Sequence, residues 1–247
     1  MELNLPKIGL GTWMLKPKAA KYSTIEGIKI GYTFVDTAQA YGNEKGVGEG
    51  LQEALETGLI KRENLVVATK VHPIKLRPKI AKKSALKSLK DLKLDFIDLL
   101  YVHYPAFMLG YSHKKTLRVF SELVDEGVIN HIGVSNFTIK MMEDAISTCD
   151  KPISANQIEH HPYLQQLELQ EYLNRNNIAV ISYSPLGRGD VLNNPVIKQI
   201  AESNKISPAQ VCLSWLISRN ATPIPKASSL EHLKDNYSAI AVQLSDA

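Results

Sequence analysis

Asp36, Tyr41, Lys70 and His103 are the side chains of this 247-residue sequence whose types could together move a proton onto a reacting oxygen. Each stands at or just beyond the end of a short β-rich run. Asp36 closes the run over 33–36 and Tyr41 follows in the loop, Lys70 closes the run over 65–70, and His103 closes that over 96–103. A tyrosine ionises near about pH 10 and is a poor acid or base at neutral pH. A nearby ammonium favours the phenolate, so Lys70 is expected to lower the pKa of Tyr41. Asp36 can hold Lys70 in place and keep it protonated. His103 can donate a hydrogen bond to the oxygen that Tyr41 protonates. Such a group would polarise a carbonyl and protonate the alkoxide formed when a hydride arrives. Singly, each has a plainer reading: a helix cap for Asp36, a snorkelling surface lysine for Lys70, a satisfied core histidine for His103, a packing aromatic for Tyr41. Their occurrence at three consecutive run ends is what points to chemistry.

To bring them together, the chain needs elements that share one rim. β-Rich runs over 7–11, 33–36, 65–70, 96–103, 128–134, 153–158, 178–183 and 222–225 alternate with helical periodicity over 23–31, 44–56, 79–92, 114–126, 138–148, 165–175, 195–203 and 208–218, with a last helix from 229. About eight βα units in single file predict an α/β fold, a single-domain (β/α)8 TIM barrel whose strand ends meet at one mouth. The other run ends there are Ser135-Asn136, Asn156-Gln157, Tyr183-Ser184 and Lys226. An open doubly wound sheet is the runner-up. It calls for a glycine-rich turn after its first strand. Gly9-Leu10-Gly11 lacks a third glycine, and Gly46-Val47-Gly48-Glu49-Gly50 falls inside a helical stretch.

Composition narrows the class further. Hydrophobic residues make up 44% and charged residues 22%, ordinary for a globular chain with a core. The net charge of +4 comes from dispersed lysines, with no run dense enough for a nucleic-acid tail, although the bias suits an anionic ligand. Cys149 and Cys212 are far apart and form no metal-ligand pattern, so neither a disulfide framework nor a metal site is expected. His160 and His161 are adjacent and would not face one metal as HExxH histidines do. The stretch Gly133-Val134-Ser135-Asn136-Phe137 is not a nucleophile elbow, because its fifth residue is Phe. No basic-then-apolar leader opens the sequence and no apolar run has membrane-span length, so a cytoplasmic location without a membrane partner is expected.

The motifs Gly9-Leu10-Gly11-Thr12-Trp13, Asp36-Thr37-Ala38-Gln39-Ala40-Tyr41-Gly42-Asn43-Glu44, Ala68-Thr69-Lys70-Val71, His103-Tyr104-Pro105, Gly133-Val134-Ser135-Asn136-Phe137, Asn156-Gln157-Ile158-Glu159, Tyr183-Ser184-Pro185-Leu186-Gly187 and Ile224-Pro225-Lys226 together resemble the aldo-keto reductase family over almost the whole chain. The resemblance implies NADP(H)-dependent reduction of an aldehyde or ketone, with Asp36, Tyr41, Lys70 and His103 as catalytic tetrad. It implies that Ser135, Asn136 and Gln157 hold the nicotinamide carboxamide and that Tyr183 stacks on the ring. Ser184, Leu186 and Gly187 would run along the pyrophosphate, Lys226 and the residues after it would meet the adenosine 2′-phosphate, and Asn236 would lie near the adenine. Trp13 and Tyr104 would line the substrate pocket, and a monomer is the family default.

The sequence also departs from the pattern. Where many relatives have Ser and Arg after the phosphate-site lysine, this chain has Ala227 and His232, with Ser228 and Ser229 as remaining hydroxyl donors. Losing a bidentate guanidinium predicts NADPH preference with measurable NADH use. The stretch 106–113 is short, the segment before Gly9 is short for the hairpin that plugs the barrel bottom, and the chain ends at Ala247 where relatives continue into a further helix and tail. An open, permissive, aromatic-walled site is expected. Two other functions compete: a Schiff-base lyase with Lys70 as nucleophile, and a non-catalytic nicotinamide-sensing module.

Overall fold

The computed structural model describes residues 3–244. Eight strands run in sequence order around one parallel sheet: β1 (Leu10–Gly11), β2 (Phe34–Asp36), β3 (Val66–Val71), β4 (Ile97–Val102), β5 (Ile129–Ser135), β6 (Ile153–Glu159), β7 (Ala179–Tyr183) and β8 (Ala221–Pro223). Between them lie α1 (Pro17–Ile30), α2 (Glu44–Glu56), α3 (Pro78–Leu92), α4 (His113–Asp125), α5 (Ile139–Ile146), α6 (Leu167–Arg175), α7 (Pro195–Asn204) and α8 (Pro208–Ser218), with α9 (Leu230–Ser238) after the last strand. The sheet closes on itself. The Gly9 and Gly11 N–H groups donate to the Pro223 and Pro225 carbonyls at 2.9 and 3.1 Å, and Gly11 bridges to Lys226. The fold is the expected (β/α)8 barrel.

Strand alternation sorts the core into two layers. One residue parity faces the barrel interior: Phe34, Ala68, Leu99, Tyr101, Ala155, Ile181 and Ile224 pack there in one cluster. The other parity, with Val35, Val67, Leu100, Val102, Ile132, Val134 and Val180, packs against the helices. Leu3 and Leu5 pack against the interior cluster, so two leucines of the short N-terminal segment serve at the barrel floor.

Two expectations need adjusting. The first helix begins at Pro17 rather than near residue 23, because Pro17 sits at its first position, where a fixed φ and a missing N–H are harmless. The strand expected over 7–11 is only Leu10–Gly11. The helical glycines of α2 serve close packing. A Cβ on Gly46 would stand 2.1 Å from the Pro17 carbonyl oxygen, and one on Gly48 2.3 Å from that of Asp91. Helix α2 therefore lies tightly between α1 and α3, and its first turn is fixed beside the mouth of the barrel.

Candidate active site

At the C-terminal rim, Asp36 on β2 and Lys70 on β3 point into the barrel and form an ion pair of 2.5 Å, each side chain 1% exposed. Two charges buried this deeply are tolerated only if their remaining hydrogen-bonding capacity is met. It is met. The Lys70 ammonium donates to Asp36 Oδ1, to the Thr37 carbonyl at 3.0 Å and to Tyr41 Oη at 3.1 Å, using all three hydrogens. The second Asp36 oxygen accepts from Gln157 Nε2 at 2.8 Å. Burial works against the Lys70 ammonium, but Asp36 and Tyr41 outweigh it and hold its pKa above the usual lysine value. A lysine held this way is an ammonium and not the free amine a Schiff-base lyase requires.

Tyr41 ends a short 3-10 turn, Gln39–Tyr41, closed by Gly42 in the left-handed region. A turn of three residues has little stability of its own, and its neighbours anchor it. Gln39 donates to the Ser84 carbonyl and Ser88 Oγ and accepts from the His72 N–H and Ser84 Oγ, tying the turn to α3. Asn43 donates to the Thr12 and Leu15 carbonyls and accepts from Thr37 Oγ1. Neither Gln39 nor Asn43 was singled out from sequence, since a polar residue in a loop carries no mark of what it will reach.

The expected lowering of the Tyr41 pKa is not found. Burial of the phenol raises it above the ordinary tyrosine value, with Lys70 pulling down and Asp36 pushing up. Tyr41 therefore keeps its proton through the neutral range. His103 stands edge-on to Tyr41, ring centroids 5.9 Å apart. Burial, together with the charges of Lys70 and His72, lowers its pKa to about 3, so the imidazole is neutral. Its Nδ1 is buried with no partner in the protein. Below this layer, Tyr101 pairs in register with Lys70 across β3 and β4, and its ring centroid lies 5.7 Å from Lys70 Nζ. The signal for Tyr101 in the sequence is its place two residues before His103, on the inward parity.

The neighbouring strand ends form one linked polar set. Ser135 Oγ donates to the Gln157 carbonyl, Asn136 Nδ2 to the His103 carbonyl and Ser135 Oγ, and Tyr183 Oη to Asn136 Oδ1 at 2.8 Å. Gln157 is 1% exposed, with its amide turned to Asp36. After β7, Ser184, Gly187, Arg188 and Gly189 all have positive φ, which bends the segment containing Leu186 around the rim. Lys226, Ser228 and His232 are exposed beside the start of α9, where Ser229 caps the helix by accepting from the His232 N–H, and Asn236 is buried on that helix. Trp13 and Tyr104 are exposed at the mouth, with Phe107 and Met108 on the loop after β4. Among the described residues, no group of three or more His, Cys, Asp or Glu side chains could hold a metal ion, and no helix is long and apolar enough to cross a membrane.

The closed barrel thus gathers an ion-paired lysine, a tyrosine and a neutral histidine at one rim. Comparison with known proteins gives its kind. The family model "Aldo/keto reductase family" matches residues 7–247. The chain is 35% identical to the NAD(P)H-dependent D-xylose reductase I,II of Candida tropicalis, over 97% of this chain and 86% of that protein. It is 34% identical to the NADH-dependent D-xylose reductase of Candida parapsilosis, over 97% and 86%. The solved aldose reductase of Schistosoma japonicum superposes with a TM-score of 0.93 at 31% identity, covering 99% of this chain and 86% of that one. The chain belongs to the aldo/keto reductase family and is an NAD(P)H-linked oxidoreductase acting on carbonyls.

The ion pair yields a stability test. Lys70→Met keeps the length of the side chain but strands the Asp36 carboxylate, which should cost about 3–5 kcal/mol in urea unfolding at neutral pH. Protonation neutralises a lone Asp36, so the loss should shrink as pH falls towards about 5. An additional Asp36→Leu substitution should restore most of the stability. Equal losses at both pH values would contradict the ion pair.

Proposed function

We propose that this protein reduces an aldehyde or ketone to an alcohol, with Tyr41 as the general acid. The observation that carries the reading is the Tyr41 hydroxyl, held in neutral form 3.1 Å from a buried ammonium. When bound, a nicotinamide cofactor supplies the hydride that reaches the carbonyl carbon. The chain's own residues handle the oxygen. Tyr41 Oη donates its proton there as the alkoxide forms. The phenolate left behind is stabilised by Lys70, whose hydrogen bond to Oη is already in place. Asp36 prevents Lys70 from losing its own proton. Neutral His103 carries one N–H and orients the carbonyl by donating it to the same oxygen. Because burial raises the Tyr41 pKa, the proton is present throughout the neutral range, which suits the reductive direction.

The polar set at the rim suits a nicotinamide. Asn136, Ser135 and Gln157 offer the amide and hydroxyl groups a carboxamide needs, and half-buried Tyr183 offers a flat ring. Leu186, Gly187 and Ser184 would follow the pyrophosphate. Lys226, Ser228 and His232, at the capped N-terminus of α9, suit a phosphate, while Glu231 in that first turn opposes one. This mixture supports NADPH as the preferred cofactor with NADH also accepted. Trp13 and Tyr104 form walls for the carbonyl compound. We further read residues 1–247 as one barrel domain acting as a cytoplasmic monomer.

Tyr41→Phe keeps the ring and removes the proton donor. Turnover should fall by at least about a hundredfold, the scale of general acid catalysis, while cofactor affinity by fluorescence quenching stays near wild type. Wild-type turnover in this variant would overturn the role of Tyr41. Steady-state kinetics with both cofactors should give a higher kcat/KM for NADPH and a measurable one for NADH. A clear preference for NADH would overturn the phosphate-site reading.

A further inference from the structure

Residues 75–83 and 113–118 hold eight lysines and arginines and no carboxylate, although the whole chain carries a net charge of only +4. The two stretches are separate in sequence, and the fold joins them. The first leads into α3 and the second opens α4, so both lie where their strands leave the barrel at its C-terminal rim. Thr116 Oγ1 on α4 donates to the Leu76 carbonyl ahead of α3 at 2.8 Å. Lys79 and Lys82 from α3 and Lys115 and Arg118 from α4 line one groove of about 340 Å³, whose apolar part is Pro78 and Val119. Glu122 also borders the groove, one turn further along α4, and lies 3.5 Å from Arg118, while Glu126 pairs with Lys82. Among the described residues no carboxylate lies within 4.0 Å of Lys79 or Lys115.

Beside these cations, four large apolar side chains face solvent. Ile74 stands on the short turn before α3, and Phe107, Met108 and Leu109 form the turn before α4. Met108 is 97% exposed. The turn is nonetheless held in place. The Phe107 ring packs on Tyr111 and His113, each with centroids 5.3 Å apart, and Tyr111 Oη lies 2.8 Å from His113 Nδ1. The Gly110 N–H closes the turn on the Phe107 carbonyl at 3.0 Å. A Cβ on Gly110 would stand 2.7 Å from Arg77 Nε, so the turn lies directly against the cationic stretch. The fold therefore fixes an apolar tip beside a cationic edge.

An exposed apolar cluster rimmed by polar groups marks an interaction site, and the sign of the rim selects its partner. A nucleic acid would pair with the cations but leave Met108 and Ile74 in water. An anionic bilayer surface meets both demands. Its headgroups neutralise lysines and arginines near the surface, and apolar side chains enter the boundary between headgroups and acyl chains. We propose that this rim face docks on an anionic lipid membrane. The tip formed by Ile74 and residues 107–109 enters the interface, and a headgroup phosphate sits in the groove between α3 and α4. The expectation of no membrane partner was drawn from the lack of a span, and surface docking needs none. The docking is independent of the role of Tyr41.

The test is cosedimentation with vesicles of phosphatidylcholine alone or of equal parts phosphatidylcholine and phosphatidylserine. Wild type should bind the anionic vesicles at least about tenfold more tightly, and the binding should weaken as salt rises. Lys79→Glu combined with Lys115→Glu should weaken that binding at least about twentyfold, about fivefold for each cation lost. Both side chains are exposed, so the thermal unfolding midpoint of this variant should stay near wild type. Met108→Trp places a reporter on the tip. Its emission should shift to the blue on anionic vesicles and be quenched by lipids brominated in their acyl chains. Equal binding to both kinds of vesicle, binding to neither, or unchanged binding by the double variant would overturn the proposal. So would tighter binding to poly(U) than to anionic vesicles with no blue shift of Met108→Trp, which would assign the face to nucleic acid.

Discussion

The site depends on one constraint: two opposite charges, Lys70 and Asp36, sit 1% exposed in the barrel with every hydrogen of the ammonium engaged. Removing charge from water costs several kcal/mol per ion, so the surrounding chain is arranged to compensate. Thr37 gives its carbonyl, Gln157 its amide, and Tyr41 its hydroxyl. Because Tyr41 is a partner in that compensation, its hydroxyl is positioned by the same bonds that make the pair tolerable. On the proposed role of Tyr41, stability and chemistry share one set of contacts.

The barrel supplies what the pair needs. Strand alternation turns Asp36, Lys70 and His103 to the inside and leaves Val35, Val71 and Val102 to pack against the helices. Register then places them in successive layers, with Lys70 opposite Tyr101 and Asp36 opposite Ala68. The small Ala68 and Ala155 and the absence of a side chain at Gly133 leave room inside for long polar side chains. A Cβ on Gly133 would come within 2.5 Å of the Tyr101 ring. Helices α2 and α3 fix the turn bearing Tyr41 through Asn43 and Gln39. The loops beyond the rim, with Trp13, Tyr104 and Arg188, are exposed.

Much of this was legible in the sequence, for identifiable reasons. Helix α2 falls on the residues its periodicity marks, 44–56, because it is amphipathic and glycine-faced. The strand ends and the four polar residues on them could be read because hydrophobic alternation breaks where the barrel opens. Whatever depends on depth could not be read. The pKa of Tyr41 moves up rather than down because burial outweighs Lys70, and no spacing in sequence reveals that balance. Gln157 turns to Asp36, across 121 positions of sequence. Gln39 gains its meaning only from partners on other elements. The early start of α1 at Pro17 is not legible because a lysine- and alanine-rich first turn shows no apolar stripe.

Burial keeps Tyr41, held by the Lys70–Asp36 pair, as a neutral, proton-bearing phenol. Carbon-13 NMR of protein labelled at tyrosine Cζ tests it directly, with the Tyr41 resonance assigned by its loss in Tyr41→Phe. This resonance should keep the chemical shift of a neutral phenol up to at least pH 10, the ordinary tyrosine midpoint. A Tyr41 that titrates to phenolate one or more units below that midpoint would contradict it, and would make Lys70 rather than burial the dominant influence on the hydroxyl.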